Sequence, residues 1–93
     1  MRNHKEEILR MVTEAVSKRY MESPFSHANE PITSDTLLRE DLAFDSLSLI
    51  ALQIDLEDLF RIRFQATEED LSAIFYSVGS LSAGIYAHLE SGQ

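Results

Sequence analysis

The chain has 93 residues, of which 44% are hydrophobic, so it is long enough for one domain with one modest core. It contains no cysteine, which excludes a disulfide framework, a thiolate metal site and a cysteine nucleophile. Sixteen acids against eight bases give a formal net charge of -8, and this argues against nucleic-acid binding because phosphate neutralisation needs a basic face.

No apolar run approaches membrane-spanning length, and the amino terminus lacks the apolar stretch of a signal peptide, so we expect a cytoplasmic protein without a membrane span. The acids are concentrated in the middle of the chain. Residues 35–70 hold ten acids, and their only bases are Arg39, Arg61 and Arg63. Such a region would attract a basic partner surface, but a well-solvated surface explains the charge equally well.

Helical periodicity predicts an amphipathic helix over residues 5–20, and its apolar side is formed by Ile8, Met11, Val12, Ala15, Val16 and Tyr20. A long connection over residues 23–35 follows, interrupted by Pro24 and Pro31, and a short helical turn is predicted over residues 36–39. Residues 46–60 give the strongest helix prediction because they lack glycine and proline. Either Asp45 or Ser46 can cap this helix.

Two more helices are predicted towards the carboxyl terminus. Thr67 is expected to cap a short helix with acids in its first turn, whose buried side is Leu71, Ile74 and Phe75. The last helix is predicted over residues 79–89, with one apolar stripe of Val78, Leu81, Ile85 and Leu89, and Gly84 weakens it. We therefore expect an all-α fold, a single domain over residues 1–93 built as a small bundle of three major helices plus one short helix.

The helix predicted over residues 46–60 has apolar residues on two opposite sides. Its core stripe is formed by Leu49, Leu52, Leu56, Leu59 and Phe60. The second stripe is formed by Leu47, Ile50, Ala51 and Ile54, and it is bordered by Asp55, Glu57 and Asp58. A helix in so small a bundle cannot easily bury both sides. We interpret the second stripe as an exposed docking surface, although the connection over residues 23–35 or a chain terminus could cover it instead.

The segment DLAFDSLSLIALQIDLEDLF resembles the second-helix region of acyl carrier proteins, where an Asp-Ser-Leu tripeptide opens the helix and the serine carries 4′-phosphopantetheine. The matching residues are Asp41, Leu42, Asp45, Ser46, Leu47, Leu52, Leu56, Glu57, Phe60 and Ile62. Ser77, Val78 and Gly79 resemble the entry to the last helix of that family. The resemblance extends from Ile8 to Leu89.

The resemblance implies a covalent 4′-phosphopantetheine cofactor on Ser46 that holds acyl groups as thioesters. Asp45 resembles the acid that precedes the modified serine, where it helps to orient the metal or the basic groups of the transferase. A serine at a helix amino terminus is accessible, and free N–H groups and the helix dipole favour a phosphodiester there. In an unrelated sequence, Ser46 would be a plain helix cap.

Several residues depart from the family pattern. Ala43 stands where glycine is usual, Ser48 and Ala51 stand where housekeeping fatty-acid carriers have acids, and Gln65 stands where proline is frequent. The stretch over residues 64–77 is also longer than usual. These differences favour a carrier dedicated to one pathway over a housekeeping carrier of fatty-acid synthesis.

The resemblance implies a monomeric, non-catalytic carrier in lipid, fatty-acid or polyketide-type biosynthesis. Its expected partners are a phosphopantetheinyl transferase and acyl-transferring or acyl-activating enzymes with basic docking surfaces. The expected docking residues are Leu47, Ile50, Ala51, Ile54, Glu57 and Asp58. Two alternatives remain, a helical interaction module without a prosthetic group and an aryl or peptidyl carrier of a nonribosomal pathway.

An enzyme and a metal site are not expected from the sequence. Ser46 lacks the G-x-S-x-G pattern of a nucleophile elbow, and the three histidines, His4, His27 and His88, are isolated from one another. The acids over residues 68–70 lack the spacing of a calcium-binding loop.

Overall fold

Four helices account for most of the chain in the computed structural model, which describes residues 4–22, 31–65 and 70–91. They are α1 (His4–Met21), α2 (Ser46–Phe60), α3 (Leu71–Ile74) and α4 (Val78–Ser91). The prediction of an all-α bundle of three major helices plus one short helix is confirmed. None of the helices in these ranges has the length and hydropathy to cross a lipid bilayer.

The core lies where α1 packs against α2 and α4. Helix α1 places one residue of each turn in the core, and these residues are Ile8, Val12, Val16 and Tyr20. Helix α4 is the main partner of α1, and the short helix α3 packs on α4. The core also contains fully buried residues of α2 and α4, namely Leu52, Leu56, Val78, Leu81 and Ile85. The spacing of three and four residues explains why each helix presents one apolar face to the centre.

Two residues that the sequence placed in the core are exposed. Leu59 of α2 is 47% exposed and Leu89 of α4 is 41% exposed. Leu59 lines an open groove together with Met11 and Ala15 of α1, so α1 does not cover its side chain. Leu89 lies one turn beyond Ile85, the last fully buried residue of α4, where the helix extends past the core.

The prediction of a helical turn over residues 36–39 is wrong. The backbone there pairs with the connection between α3 and α4 through an isolated antiparallel bridge of Leu37 and Ser77. Leu38 N donates to Tyr76 O at 3.0 Å, and Val78 N donates to Thr36 O at 3.0 Å. These backbone groups pair across the chain, so no helix forms over residues 36–39. Residues 38–42 form a hydrogen-bonded turn, in which Asp41 N donates to Leu37 O at 3.0 Å and Ala43 N donates to Arg39 O at 3.0 Å.

Two glycines of α4 lie at close packing contacts, one against backbone and one against a side chain. A Cβ atom on Gly79 would lie 2.9 Å from the carbonyl oxygen of Ser34, so the bridge region leaves no room for a side chain. A Cβ atom on Gly84 would lie 3.0 Å from Cγ2 of Ile74. The glycine that weakens α4 in isolation therefore allows α3 to pack closely against it.

Helix α3 begins at Leu71, and its amino-terminal cap is Asp70, which accepts from Ala73 N at 3.3 Å. The predicted cap, Thr67, lies outside the described residues. The pKa of Asp70 is lowered mainly by a hydrogen bond from the Ser72 hydroxyl and, to a smaller extent, by the bond from Ala73 N. The cap is therefore kept ionised. Phe75, at the end of this helix, is buried as predicted and packs edge-on against Phe64 at 5.3 Å between ring centroids.

Candidate functional site

The loop before α2 is fixed to the core by three buried side chains. Leu38, Leu42 and Phe44 are each at most 3% exposed, and the ring of Phe44 lies 6.4 Å from that of Tyr20 on α1. Burial of Phe44 leaves the next two residues, Asp45 and Ser46, at the surface where α2 begins. The buried loop thus positions the start of α2.

Ala43 has a left-handed backbone conformation, with φ of 59°. This turn lets Ala43 N donate to Arg39 O at 3.0 Å and Phe44 N donate to Leu38 O at 3.1 Å. A side chain with a Cβ atom is strained in this conformation, whereas glycine adopts it freely. The departure from the glycine of the family pattern therefore leaves strain in the loop.

We expect Ala43→Gly to stabilise the protein by about 0.5–1 kcal/mol, because relief of the left-handed strain exceeds the added entropy of the unfolded chain. Urea denaturation measures the change in the free energy of unfolding. Ala83→Gly is the matched control, since Ala83 is exposed within α4 and the same change there should destabilise by about 1 kcal/mol. Equal destabilisation by both variants would contradict the strain at Ala43.

Asp45 is the amino-terminal cap of α2, and its Oδ1 accepts from Ser48 N at 2.9 Å. This bond from the Ser48 backbone is the main cause of the lowered pKa of Asp45, and a bond from the Ser48 hydroxyl is the second cause. Because the folded pKa lies below the unfolded value, the cap stabilises α2 above the unfolded pKa and is lost as pH falls through the folded pKa. Asp45 therefore performs the capping, and Ser46 is the exposed first residue of the helix.

An open groove of about 470 Å³ lies directly beside Ser46. Its walls come from α2, α3 and the two connections that pair at the Leu37–Ser77 bridge. The apolar lining consists of Leu37, Leu49, Ile50, Leu71, Phe75 and Tyr76. Arg39, Glu40, Gln53 and Ser72 supply its polar groups. We call this the Ser46 groove.

The second stripe of α2 lies largely at the surface. Leu47 is 77% exposed, Ile50 is 53% exposed and Ile54 is 58% exposed, whereas Ala51 is half-buried. Exposure of large apolar side chains along one helix face is a property of surfaces that bind partners. The first of these residues, Leu47, directly follows Ser46.

The acids beside the second stripe differ in their availability. Asp58 is exposed, but Glu57 is half-buried, and its Oε2 accepts from Phe64 N at 3.0 Å. Asp55 accepts two hydrogen bonds from the Arg19 guanidinium of α1, at 2.6 and 3.1 Å. Of the two acids predicted to dock partners, Glu57 therefore also holds the segment after α2 in place.

Sequence reasoning missed the contribution of the α3–α4 connection to this region. Tyr76 is 57% exposed and lines the Ser46 groove together with Ile50. The sequence contains one signal for this role of Tyr76. The tyrosine lies just before the apolar stripe of the last helix and has no predicted place in the core, which is compatible with a surface role. Tyr76 and Ile50 line one groove because of tertiary pairing, which no local pattern contains.

Other chemistry-bearing residues lie away from this region or outside the described ranges. His88 packs edge-on against Phe64 near the end of α4, with 5.1 Å between ring centroids. His4 begins α1, and His27 lies outside the described residues. Within the described ranges, no cluster of three His, Cys, Asp or Glu side chains is arranged to hold a metal ion.

No model of a known protein family matches the chain, and no curated protein matches it. The function is therefore inferred from the residues and the geometry around Ser46.

Proposed function

We propose that this chain is a carrier protein, in which Ser46 holds a 4′-phosphopantetheine arm and presents acyl intermediates to partner enzymes. One observation carries the proposal. Ser46, within the tripeptide Asp45-Ser46-Leu47, is the exposed first residue of α2 and borders an apolar groove. The same serine lies at the end of an exposed apolar stripe, so the attachment point and a surface for partners adjoin.

The residues around Ser46 fit such an arm. The hydroxyl is at the surface and is not needed as the helix cap, because Asp45 has that role. The first N–H groups of a helix have no acceptor within the helix, and with the helix dipole they favour a phosphodiester. Asp45 adds an opposing negative charge, and Arg39 at the Ser46 groove offers a positive one.

The arm supplies a terminal thiol, which forms thioesters with acyl groups in a chain that has no cysteine of its own. The Ser46 groove is open on one side and mainly apolar, so it suits the apolar part of a cargo that must be shielded and released again. Leu49 and Phe75 both line this groove and provide apolar contact area from α2 and from the end of α3.

The proposal includes the partners and the setting expected from the sequence. The partners are a phosphopantetheinyl transferase and acyl-transferring or acyl-activating enzymes, and the carrier is a cytoplasmic monomer without catalytic activity of its own. The second candidate is a helical interaction module without a prosthetic group, which the exposed second stripe would suit equally well. An aryl or peptidyl carrier would use the same serine and differ in its cargo.

The decisive experiment is the intact mass of the protein after incubation with coenzyme A and a broad-specificity phosphopantetheinyl transferase. We expect a gain equal to one phosphopantetheine, and peptide mapping should place it on the segment that contains Ser46. Protein without enzyme is the control. A mass that stays unchanged under conditions that load an established carrier would favour the interaction module.

We further propose that the carrier serves one dedicated pathway, because Ser48 and Ala51 replace acids near the arm. We expect enzymes of general fatty-acid elongation to use the loaded protein poorly. Ser48→Asp with Ala51→Glu should increase the transfer rate and make it more sensitive to salt, since rim charges mainly accelerate the encounter. Transfer rates with one fatty-acid synthase enzyme measure both effects.

The matched control adds two acids on α4 through Ala83→Glu and Ala87→Glu, both at exposed positions. This variant has the same net charge as the variant with Ser48→Asp and Ala51→Glu. The comparison therefore separates the effect of acids near Ser46 from the effect of added negative charge anywhere on the protein. A wild-type protein that already equals a housekeeping carrier in transfer rate would contradict the dedicated pathway and leave Ser46 as the attachment site.

A further inference from the structure

We propose that Arg39, Gln53 and Ser72 bind the 4′-phosphopantetheine arm itself, so that the arm without cargo rests along the Ser46 groove instead of moving freely in solvent. This inference rests on the proposed carrier function and assigns binding residues for its cofactor. Arg39 binds the phosphodiester of the arm, and Gln53 and Ser72 bind its amide N–H groups.

The Ser46 groove follows one face of α2 for two helical turns. Its lining from α2 consists of Ser46, Leu49, Ile50 and Gln53, whose spacing places them on the same side of the helix. Gln53 is two turns from Ser46, or about 10 Å along the helix axis. The nearer amide of an extended arm is about seven bonds from the Ser46 oxygen, a reach of about 8 Å. An arm that follows this face therefore brings its amides to the level of Gln53.

Gln53 and Ser72 each use a donor within the fold and keep an oxygen atom that can accept. Gln53 Nε2 donates to Glu57 Oε2 at 3.3 Å, and the Ser72 hydroxyl donates to Asp70 Oδ1 at 2.7 Å. Among the described residues, no donor binds Gln53 Oε1 or Ser72 Oγ. Both oxygens have lone pairs for further hydrogen bonds. The amide N–H groups of the arm are the donors that match them.

Arg39 is the positively charged group of the groove. Its side chain is exposed, and in the described part of the chain no carboxylate forms an ion pair with it. Its backbone is fixed, because its carbonyl oxygen accepts from Ala43 N at 3.0 Å and the preceding residue, Leu38, is fully buried. A guanidinium and a phosphodiester form paired, charge-assisted hydrogen bonds. Arg39 therefore has the chemistry to bind the end of the arm that is attached to Ser46.

The acids around this guanidinium have other hydrogen-bond donors. Asp41 and Asp45 accept from the backbone N–H groups of Leu37 and Ser48, at 2.8 and 2.9 Å. Glu40 is exposed and lines the groove. As a carboxylate it only accepts, and the hydroxyl of the arm is a donor for it. These acids leave the guanidinium to the phosphodiester.

The groove also has the size and the mixed lining that the arm requires. Its volume of about 470 Å³ lies within the range of roughly 300–1,000 Å³ found for sites of small molecules. Leu37, Ile50 and Tyr76 offer apolar contact to the methyl and methylene groups that separate the polar groups of the arm. A purely hydrocarbon occupant would make no use of the polar side chains of this groove. The arm, which alternates polar and apolar groups, matches both kinds of lining.

The test measures hydrogen exchange of the arm's amides by NMR, on protein loaded from coenzyme A with isotope-labelled amides and carrying a free thiol. Because hydrogen-bonded N–H groups are protected, we expect these amides to exchange at least about fivefold more slowly than in free coenzyme A. Gln53→Met and Ser72→Ala should each speed the exchange at least about twofold, as expected for one lost hydrogen bond. Melting temperatures measured before loading control for changes in the fold.

Phosphorus NMR of the same loaded protein tests the phosphodiester contact. Arg39→Gln should shift the phosphorus resonance of the phosphodiester and speed the amide exchange, and high sodium chloride should weaken both effects of the arginine. Arg63→Gln is the matched control, because Arg63 is exposed and does not line the groove, and the change in net charge is the same. We expect this control to leave the resonance and the exchange rates as in the wild type.

The outcomes distinguish the inference from the proposed function. Loading at Ser46 with wild-type exchange rates equal to those of free coenzyme A would overturn arm binding and leave the carrier function intact. Protection that survives the changes at Arg39, Gln53 and Ser72 would overturn the assignment of these residues. Equal effects of Arg39→Gln and Arg63→Gln would contradict the phosphodiester contact. Absence of any loading would overturn both the inference and the carrier function.

Discussion

Ser46→Ala should fold as stably as the wild type and take up no phosphopantetheine at all. The loss is complete because the hydroxyl oxygen is the atom that forms the phosphodiester, and alanine has no substitute for it. Stability should change by no more than about 0.5 kcal/mol, since Ser46 is exposed and Asp45 provides the cap. Intact mass after transferase treatment measures loading, and thermal unfolding followed by circular dichroism measures stability.

Ser48→Ala is the matched control for this prediction. Ser48 is the nearest other hydroxyl on α2, and its backbone N–H still reaches Asp45 after the change. We expect this variant to be loaded fully. Loading that persists in Ser46→Ala, or that disappears in Ser48→Ala with the fold intact, would place the arm at Ser48 and contradict the proposed site.

The bounds of α2 were predictable because local signals agree. An uninterrupted run of helix formers begins after Asp45, whose side chain caps Ser48 N, and the helix ends at Phe60 before Arg61. Arg61 has a left-handed backbone conformation, with φ of 58°, and its N–H donates to Glu57 O, which closes the helix end. Capping and propensity act within a few residues, so a single sequence is sufficient to predict them.

The tertiary parts of the site could not be predicted in the same way. The pair of Arg19 and Asp55 joins residues 36 positions apart, and nothing in either local sequence selects the other. The bridge of Leu37 and Ser77 likewise replaces a locally plausible helical turn. Both contacts depend on how the helices pack. The apolar pattern of α2 therefore indicated two stripes, but only packing decided that Leu59 is exposed.

Leu56→Ala should produce the largest loss of stability among the single changes considered for α2. Leu56 is fully buried in the core, so removing its outer atoms leaves a cavity and costs about 2–5 kcal/mol. Small domains have about 5–15 kcal/mol of stability in total, and each kcal/mol corresponds to a fall of about 4–8 °C in Tm at this size. Thermal and urea unfolding should both show the loss.

The stability cost of Ile54→Ala, on the same helix, is to be compared with that of Leu56→Ala, because the comparison tests whether Ile54 is exposed for docking. Its side chain is more than half exposed, so we expect a cost below about 1 kcal/mol, reduced further by the higher helix propensity of alanine. The same change should slow transfer from the loaded carrier to its partner enzymes, because it removes apolar contact area from the proposed docking surface. A loss of stability as large as that of Leu56→Ala would mean that the chain itself buries Ile54. The second stripe would then be part of the core, and the docking of partners on α2 would have to be abandoned while Ser46 could still carry the arm.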